Sequence, residues 1–214
     1  MKRLFWEDPY LKECEATVTS RMGPEVQLDQ AIFFAFSGGQ ASDQGKIRGI
    51  NVQEAVKTDQ GITYILERVP EFNEGDKVKV EIDWDYRFKI MRLHSAAHVV
   101  FYLFSEKTGV TKLIGSNISI DKARLDFAMG TPVSELLPEI EAKANKITEK
   151  DIQIKTYGDE QDENRRYWEM DIDGKEVKYP CGGTHVKNAE EIGRIKLKRK
   201  NIGAGKERIE ITLI

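Results

Sequence analysis

Two short stretches constrain this chain more than any others: His94-Ser95-Ala96-Ala97-His98 and, far downstream, Cys181-Gly182-Gly183-Thr184-His185. All three histidines of the chain and one of its two cysteines fall inside them. Residues four apart on a helix share a face, so His94 and His98 present two imidazoles to one point. Cys181 and His185, four apart on a glycine-rich turn, add a thiolate and a third imidazole. This mixed set suits zinc in tetrahedral geometry. The expectation is one zinc ion per chain, held by His94, His98, Cys181 and His185, with a mid-chain helix giving half the site and a late turn the rest.

The HxxxH spacing invites comparison with zinc peptidases, which set a glutamate beside a metal-binding histidine. Ser95 and Ala97 occupy those positions here, so peptidase chemistry is disfavoured. Four protein ligands are usual for a structural zinc. Structural fingers draw on more cysteines, however, and 214 residues with 40% hydrophobic content are enough to fold without a metal staple. An ion with one loose ligand activates water or orients an ester. Spacing alone leaves both roles open.

The remainder of the chain reads as short strands followed by a change of period. Residues 12–36 alternate, with a turn at Arg21-Met22-Gly23-Pro24, and Cys14 sits among them as a small buried residue. A loop rich in turn formers spans residues 36–45, and Asp59-Gln60-Gly61 marks a hairpin before residues 62–66. These signals predict a small β-barrel domain over residues 1–84. From residue 85 the apolar positions take on helical spacing as far as residue 106, predicting a buried helix that carries the HxxxH. Strands are expected at 112–120, 123–127, 152–157, 193–200 and 206–214. A second helix is expected to open at Thr131-Pro132 and run to about Ile147, and the charged run 158–176 reads as a solvated helix or loop. The fold class is α+β, with residues 85–214 forming a second domain of antiparallel sheet and a zinc-bearing helix.

With 33 basic and 36 acidic residues the net charge is −3, so nucleic-acid contact has to come from a local patch. Residues 194–208 hold such a patch. Arg194, Lys196, Lys198 and Lys200 alternate along one strand and form a basic edge for phosphates. No run of eighteen apolar residues and no cleavable leader stands out, which predicts a cytoplasmic protein without a membrane partner.

The motifs, taken in order, resemble a known family. Residues 83–98 resemble the segment that opens the editing domain of alanyl-tRNA synthetases. Gly115-Ser116, Arg124-Leu125-Asp126-Phe127, Cys181 to His185, residues 192–196 and residues 202–210 follow in the family's order, and residues 36–45 resemble its Ser-Gly-Gly-Gln element. An aminoacylation domain is not expected beside these motifs. The chain thus resembles the free-standing AlaX proteins of the two-domain type. The resemblance implies trans-editing: zinc-dependent hydrolysis of mischarged tRNA(Ala), chiefly seryl-tRNA(Ala) and also glycyl-tRNA(Ala). It places Gln40 and Asp43 as catalytic candidates in the glycine-rich loop, with Gly38, Gly39, Ser116 and Thr184 at the substrate. Arg124 and Asp126 alternate with apolar neighbours and read as a structural ion pair. Two positions depart from the family pattern: Ala97 replaces the threonine of HSATH, and Leu113 replaces a glutamine before the Gly-Ser pair. Alternatives are editing of another tRNA, as in threonyl-tRNA synthetase, and a non-catalytic tRNA-binding module with structural zinc.

Overall fold

Period-two alternation becomes strand throughout the first part of the chain. The computed structural model describes residues 1–203 and 205–214, which divide into two units, Met1–Lys89 and Ile90–Ile214. In the first unit β1 (Lys2–Arg3) and α1 (Leu4–Glu7) precede β2 (Glu13–Met22), β3 (Glu25–Leu28), β4 (Gln30–Ala31), β5 (Gly45–Ile47), β6 (Ile50–Thr58), β7 (Gly61–Leu66) and β8 (Lys77–Ile82). Six of these strands pair in a closed ring, in the order β2-β3-β7-β6-β5-β8. Closure leaves no strand edge open, the usual solution for a small sheet without covering helices. Alternation decides what points inward: Ile62, Tyr64 and Leu66 of β7 and Val78, Val80 and Ile82 of β8 are buried. Gly45 has no tolerance for a side chain, because a Cβ there would stand 2.1 Å from the Glu81 carbonyl oxygen and 2.7 Å from Phe33 Cζ.

The polar centre of this unit is Arg87, near the start of helix α2 (Trp84–Thr108) and fully buried. Its Nε donates to Asp43 Oδ1 at 2.7 Å, and its Nη2 closes the pair on Asp43 Oδ2. Nη1 donates to the Pro9 carbonyl at 2.9 Å and Nη2 to the Ile32 carbonyl at 2.5 Å. Asp43 Oδ2 also accepts the Phe34 backbone N–H at 2.6 Å. A guanidinium taken out of water in this way holds four separate segments of the unit to one point.

The second unit contains the remainder of α2, then β9 (Gly115–Ile118), β10 (Ala123–Ala128), α3 (Leu137–Ile147), β11 (Ile154–Gly158), β12 (Arg166–Ile172), β13 (Lys175–Pro180), β14 (Ile195–Asn201) and β15 (Lys206–Leu213). Two antiparallel sheets form, one in the order β14-β15-β10-β9 and one in the order β11-β12-β13. Helix α2 buries Ile90, Met91, Leu93, Ala96, Val99, Val100 and Phe104, with Phe104 against Phe127 of β10 at 4.0 Å between ring centroids. The chain is thus mixed α and β, mostly sheet with few helices. Among the described residues no helix is long and apolar enough to cross a membrane. Ala204, part of the closing motif, lies outside the described residues.

Two local expectations are corrected. The second helix starts at Leu137 with Pro138 in its first turn, because Pro132 is extended (φ −61°, ψ 135°) and caps only a 3-10 turn at Val133–Glu135. The charged run 158–176 is a solvated loop only over residues 159–165, and beyond it come β12 and the start of β13. There Trp168, Met170 and Ile172 alternate inward while Glu169 and Asp171 stay on the other face, so the charges belong to the solvent side of a strand.

The Arg87 cluster generates a stability prediction. Arg87→Met leaves the Asp43 carboxylate buried without its cation and is expected to cost about 3–5 kcal/mol. Urea unfolding of the two proteins measures the difference.

Candidate metal centre

Helix α2 places His94 and His98 one turn apart, with rings stacked at 5.1 Å and 17°. The turn after β13 delivers the other pair. The Cys181 backbone N–H donates to the Arg166 carbonyl at 2.8 Å, which fastens the start of the turn to β12. His185 is buried, its ring centroid 4.2 Å from that of His94. One donor atom from each of His94, His98, Cys181 and His185 can be chosen so that all lie within 4.8 Å of one another. Cys181 Sγ is 3.5 Å from His94 Nε2 and 3.2 Å from His185 Nε2. Nitrogen and sulfur ligands of a tetrahedral zinc stand about 3.3–3.6 Å apart, by the usual bond lengths. His98 Nε2 is buried and, among the described residues, has no hydrogen-bond partner. A buried lone pair left unmatched costs about 1–3 kcal/mol, which an ion at this point would remove. The donor set fits a metal ion.

Aromatic packing fixes the His98 ring. Trp168 of β12 lies 4.8 Å from it at 22°, and Tyr179 of β13 lies 5.6 Å away at 13°. Neither residue stood out in the sequence. Trp168 was hidden in the charged run, and its only signal was the inward alternation with Met170 and Ile172.

Burial also sets the protonation of the donors. Desolvation lowers His94 to about 4, and it pushes His98 and His185 well below the ordinary imidazole value, with the neighbouring histidines adding to the effect. The three rings are therefore neutral at pH 7 and offer lone pairs. Burial pushes the Cys181 thiol the other way, up to about 11, partly opposed by a backbone hydrogen bond from Gly183. The thiol keeps its proton until a metal displaces it.

The remaining candidate residues are placed as follows. Gly38 (φ 58°) and Gly39 (φ 85°) form a left-handed turn in the first unit. That turn is closed by the Ser37 N–H to the Gln40 carbonyl at 3.3 Å and the Gln40 N–H to the Ser37 carbonyl at 3.0 Å. Gln40 is fully buried, and Asp43 has both carboxylate oxygens on Arg87. In the second unit Ser116 lies on β9 opposite Leu125, and Thr184 is buried beside His185. Lys196, Lys198 and Lys200 are exposed on β14 and alternate with inward Ile195 and Leu197. Arg194, Lys196 and Lys198 border a groove of about 710 Å³ between α3 and β14, where Lys196 pairs with Glu141 at 2.8 Å. Asp126 is held chiefly by Arg208, through bonds of 2.6 and 2.9 Å, and Arg124 is more distant at 3.8 Å.

Residues 170–210, which contain Cys181 and His185, match the family described as the threonyl and alanyl tRNA synthetase second additional domain. That match lies wholly within the second unit. Over 99% of its length the chain is 38% identical to the alanyl-tRNA editing protein AlaX-M of Pyrococcus horikoshii and covers 97% of it. It is 32% identical to the AlaX-M protein of Methanosarcina barkeri, with 99% of this chain and 98% of that one covered. An alanine–tRNA ligase of Methanococcus maripaludis is 33% identical across 97% of this chain, which spans 25% of the ligase. The chain belongs to the AlaX-M family of alanyl-tRNA editing proteins.

Metal uptake is expected to be linked to pH in a defined way. With the imidazoles already neutral and the thiol protonated, each ion displaces about one proton near neutrality, so affinity rises about tenfold per pH unit between roughly pH 6.5 and 8. Calorimetry in buffers of different ionisation enthalpy counts the protons. Release of two or more would mean that the histidines are charged in the folded protein.

Proposed function

We propose that this chain is a trans-editing hydrolase that removes the wrong amino acid from mischarged tRNA(Ala), with seryl-tRNA(Ala) as main substrate and glycyl-tRNA(Ala) as a second. The observation that carries the reading is the convergence of His94, His98, Cys181 and His185 in a full-length relative of AlaX-M proteins. The centre is assigned to zinc, because imidazole and thiolate donors in a four-ligand set favour that ion. When bound, zinc supplies a positive centre that can orient or polarise the aminoacyl ester. Lysis of such an ester needs modest assistance, so positioning by the chain's own groups carries much of the work.

Thr184, buried next to His185, and Ser116 are assigned to the substrate on the strength of the family motifs in which they lie. Ala97 brings no hydroxyl to the helix face that holds the histidines. Gly38 and Gly39 keep the substrate role, and Gln40 the catalytic one, that the family motif implies, on the strength of the motif alone. Asp43 is reassigned. A carboxylate that spends both oxygens on a buried guanidinium is not poised to take a proton, and its role is to hold Arg87. Arg194, Lys196, Lys198 and Lys200 are assigned to the tRNA backbone, since an exposed basic row is the feature that recognises phosphate regardless of sequence. The cytoplasm is the compartment where such a substrate is met.

The logic of a separate editing site favours serine. A pocket built for alanine cannot strongly reject an isostere with one added hydroxyl, so the error is removed after it is made. The family description that covers residues 170–210 also names threonyl-tRNA synthetase, but the matches along the whole chain are to alanine proteins. Zinc-loaded protein is expected to release serine and glycine from tRNA(Ala) while sparing alanyl-tRNA(Ala) and seryl-tRNA(Thr). Cys181→Ala should lower the rate at least about 100-fold, the upper end of what weaker disturbances of a metal site cost. Binding of tRNA without hydrolysis by zinc-replete protein would instead establish a non-catalytic module, and hydrolysis of seryl-tRNA(Thr) alone would move the substrate to threonine tRNA.

A further inference from the structure

Ser95 lies between the two metal-site histidines of α2 and is fully buried. Its Oγ stands 3.2 Å from His185 Nδ1 and accepts the Val186 backbone N–H at 3.3 Å. The two nitrogens of the His185 ring therefore face different partners: Nε2 is 3.2 Å from Cys181 Sγ, and Nδ1 points to the serine hydroxyl. We propose that Ser95 is a positioning residue of the metal centre, whose hydroxyl oxygen accepts the Nδ1 hydrogen of His185 and keeps Nε2 turned toward the ion. This rests on the reading of the four residues as a metal centre.

The argument is one of hydrogen counting. A neutral imidazole carries one hydrogen, and a ring that gives its Nε2 lone pair to a metal must carry that hydrogen on Nδ1. His185 is buried, so its Nδ1–H needs an acceptor inside the protein. A serine hydroxyl has two acceptor sites. Val186 N–H takes one, and the other is within reach of Nδ1. Donation in the opposite sense, from the serine O–H to Nδ1, would put the ring hydrogen on Nε2 and block that nitrogen as a ligand. The two hydrogen-bond directions are thus the metal-competent and metal-incompetent states of the same contact. Loading the centre selects the first. Ser95 occupies the position where an HExxH peptidase has its glutamate, yet here the side chain orients a ligand contributed by a distant turn.

Partners that orient a ligating histidine are typically worth about 10–100-fold in metal affinity. Competition with a chromophoric chelator, using the full chain, is expected to show Ser95→Ala binding zinc about 10–100-fold more weakly than the parent. A serine that only supported the fold would lower the urea midpoint of the metal-free protein and leave the zinc affinity of the folded fraction unchanged. That result would overturn the proposal. The tautomer of His185 gives an independent reading on the unaltered protein, which covers the case of a variant that fails to fold. Long-range ¹H–¹⁵N spectra of the zinc-loaded chain should show the hydrogen on Nδ1, and a hydrogen on Nε2 would overturn the proposal as well. If the parent chain takes up no zinc, the metal-centre reading itself fails. Normal zinc uptake with an unaffected Ser95→Ala variant removes Ser95 alone.

Discussion

A guanidinium withdrawn from water has to find a partner for each of its donors, and Arg87 finds them on Asp43, Pro9 and Ile32. The segments it joins are distant in sequence: the chain before β2, the stretch after β4, the loop that ends at β5 and the first turns of α2. Hydrophobic burial is nondirectional and would tolerate several arrangements of these pieces. A fully desolvated ion pair tolerates one, since any other leaves charge unpaired in the interior. The specificity of the first unit is therefore concentrated in a contact between two family motifs, the glycine-rich loop and the segment that opens α2.

The same pattern recurs in the second unit with different chemistry. Arg92 of α2 donates to the Ile192 carbonyl at 2.9 Å, and a Cβ on Gly193 would come within 2.6 Å of its Nη2. Gly193 also adopts a left-handed φ of 70°, and it is this backbone conformation that favours glycine there. A Cβ on Gly115 would approach Asp126 Oδ2 to 3.1 Å, while that carboxylate is gripped by Arg208 from β15. The motif glycines make room for polar pairs, and the pairs connect one motif to another. In this chain these motif contacts align α2 and the strands within each unit.

The ligand set was legible because the chain has so few histidines and cysteines, and because helical spacing converts positions 94 and 98 into one face. Strand alternation was equally readable where turns bracketed it, as at Asp59-Gln60-Gly61. Three features were not. Strand β12 carries exposed Glu169 and Asp171 between inward Trp168, Met170 and Ile172, and the charges masked the period. The start of α3 moved from Pro132 to Leu137 because proline fixes φ but leaves ψ free, so a Thr-Pro pair permits a helix without requiring one. The tie between Asp43 and Arg87 was not readable either, because the two lie 44 residues apart and the spacing betrays nothing. Pairings between distant polar groups have no period, and only the folded chain reveals them.

That lesson bears on whether the metal centre is structural or works on a substrate. A structural site is closed, with all its ligands sealed. Here His185 is sealed and tied on one side to Ser95, and the donor nitrogen of His98 is buried as well. The sealed ligand gives the site its rigidity. Aromatic stacking from Trp168 and Tyr179 keeps the His98 ring in place. A donor set anchored by Ser95 on one side and by stacked aromatic rings on another is built to hold an ion in one geometry, which a structural and a catalytic centre both require.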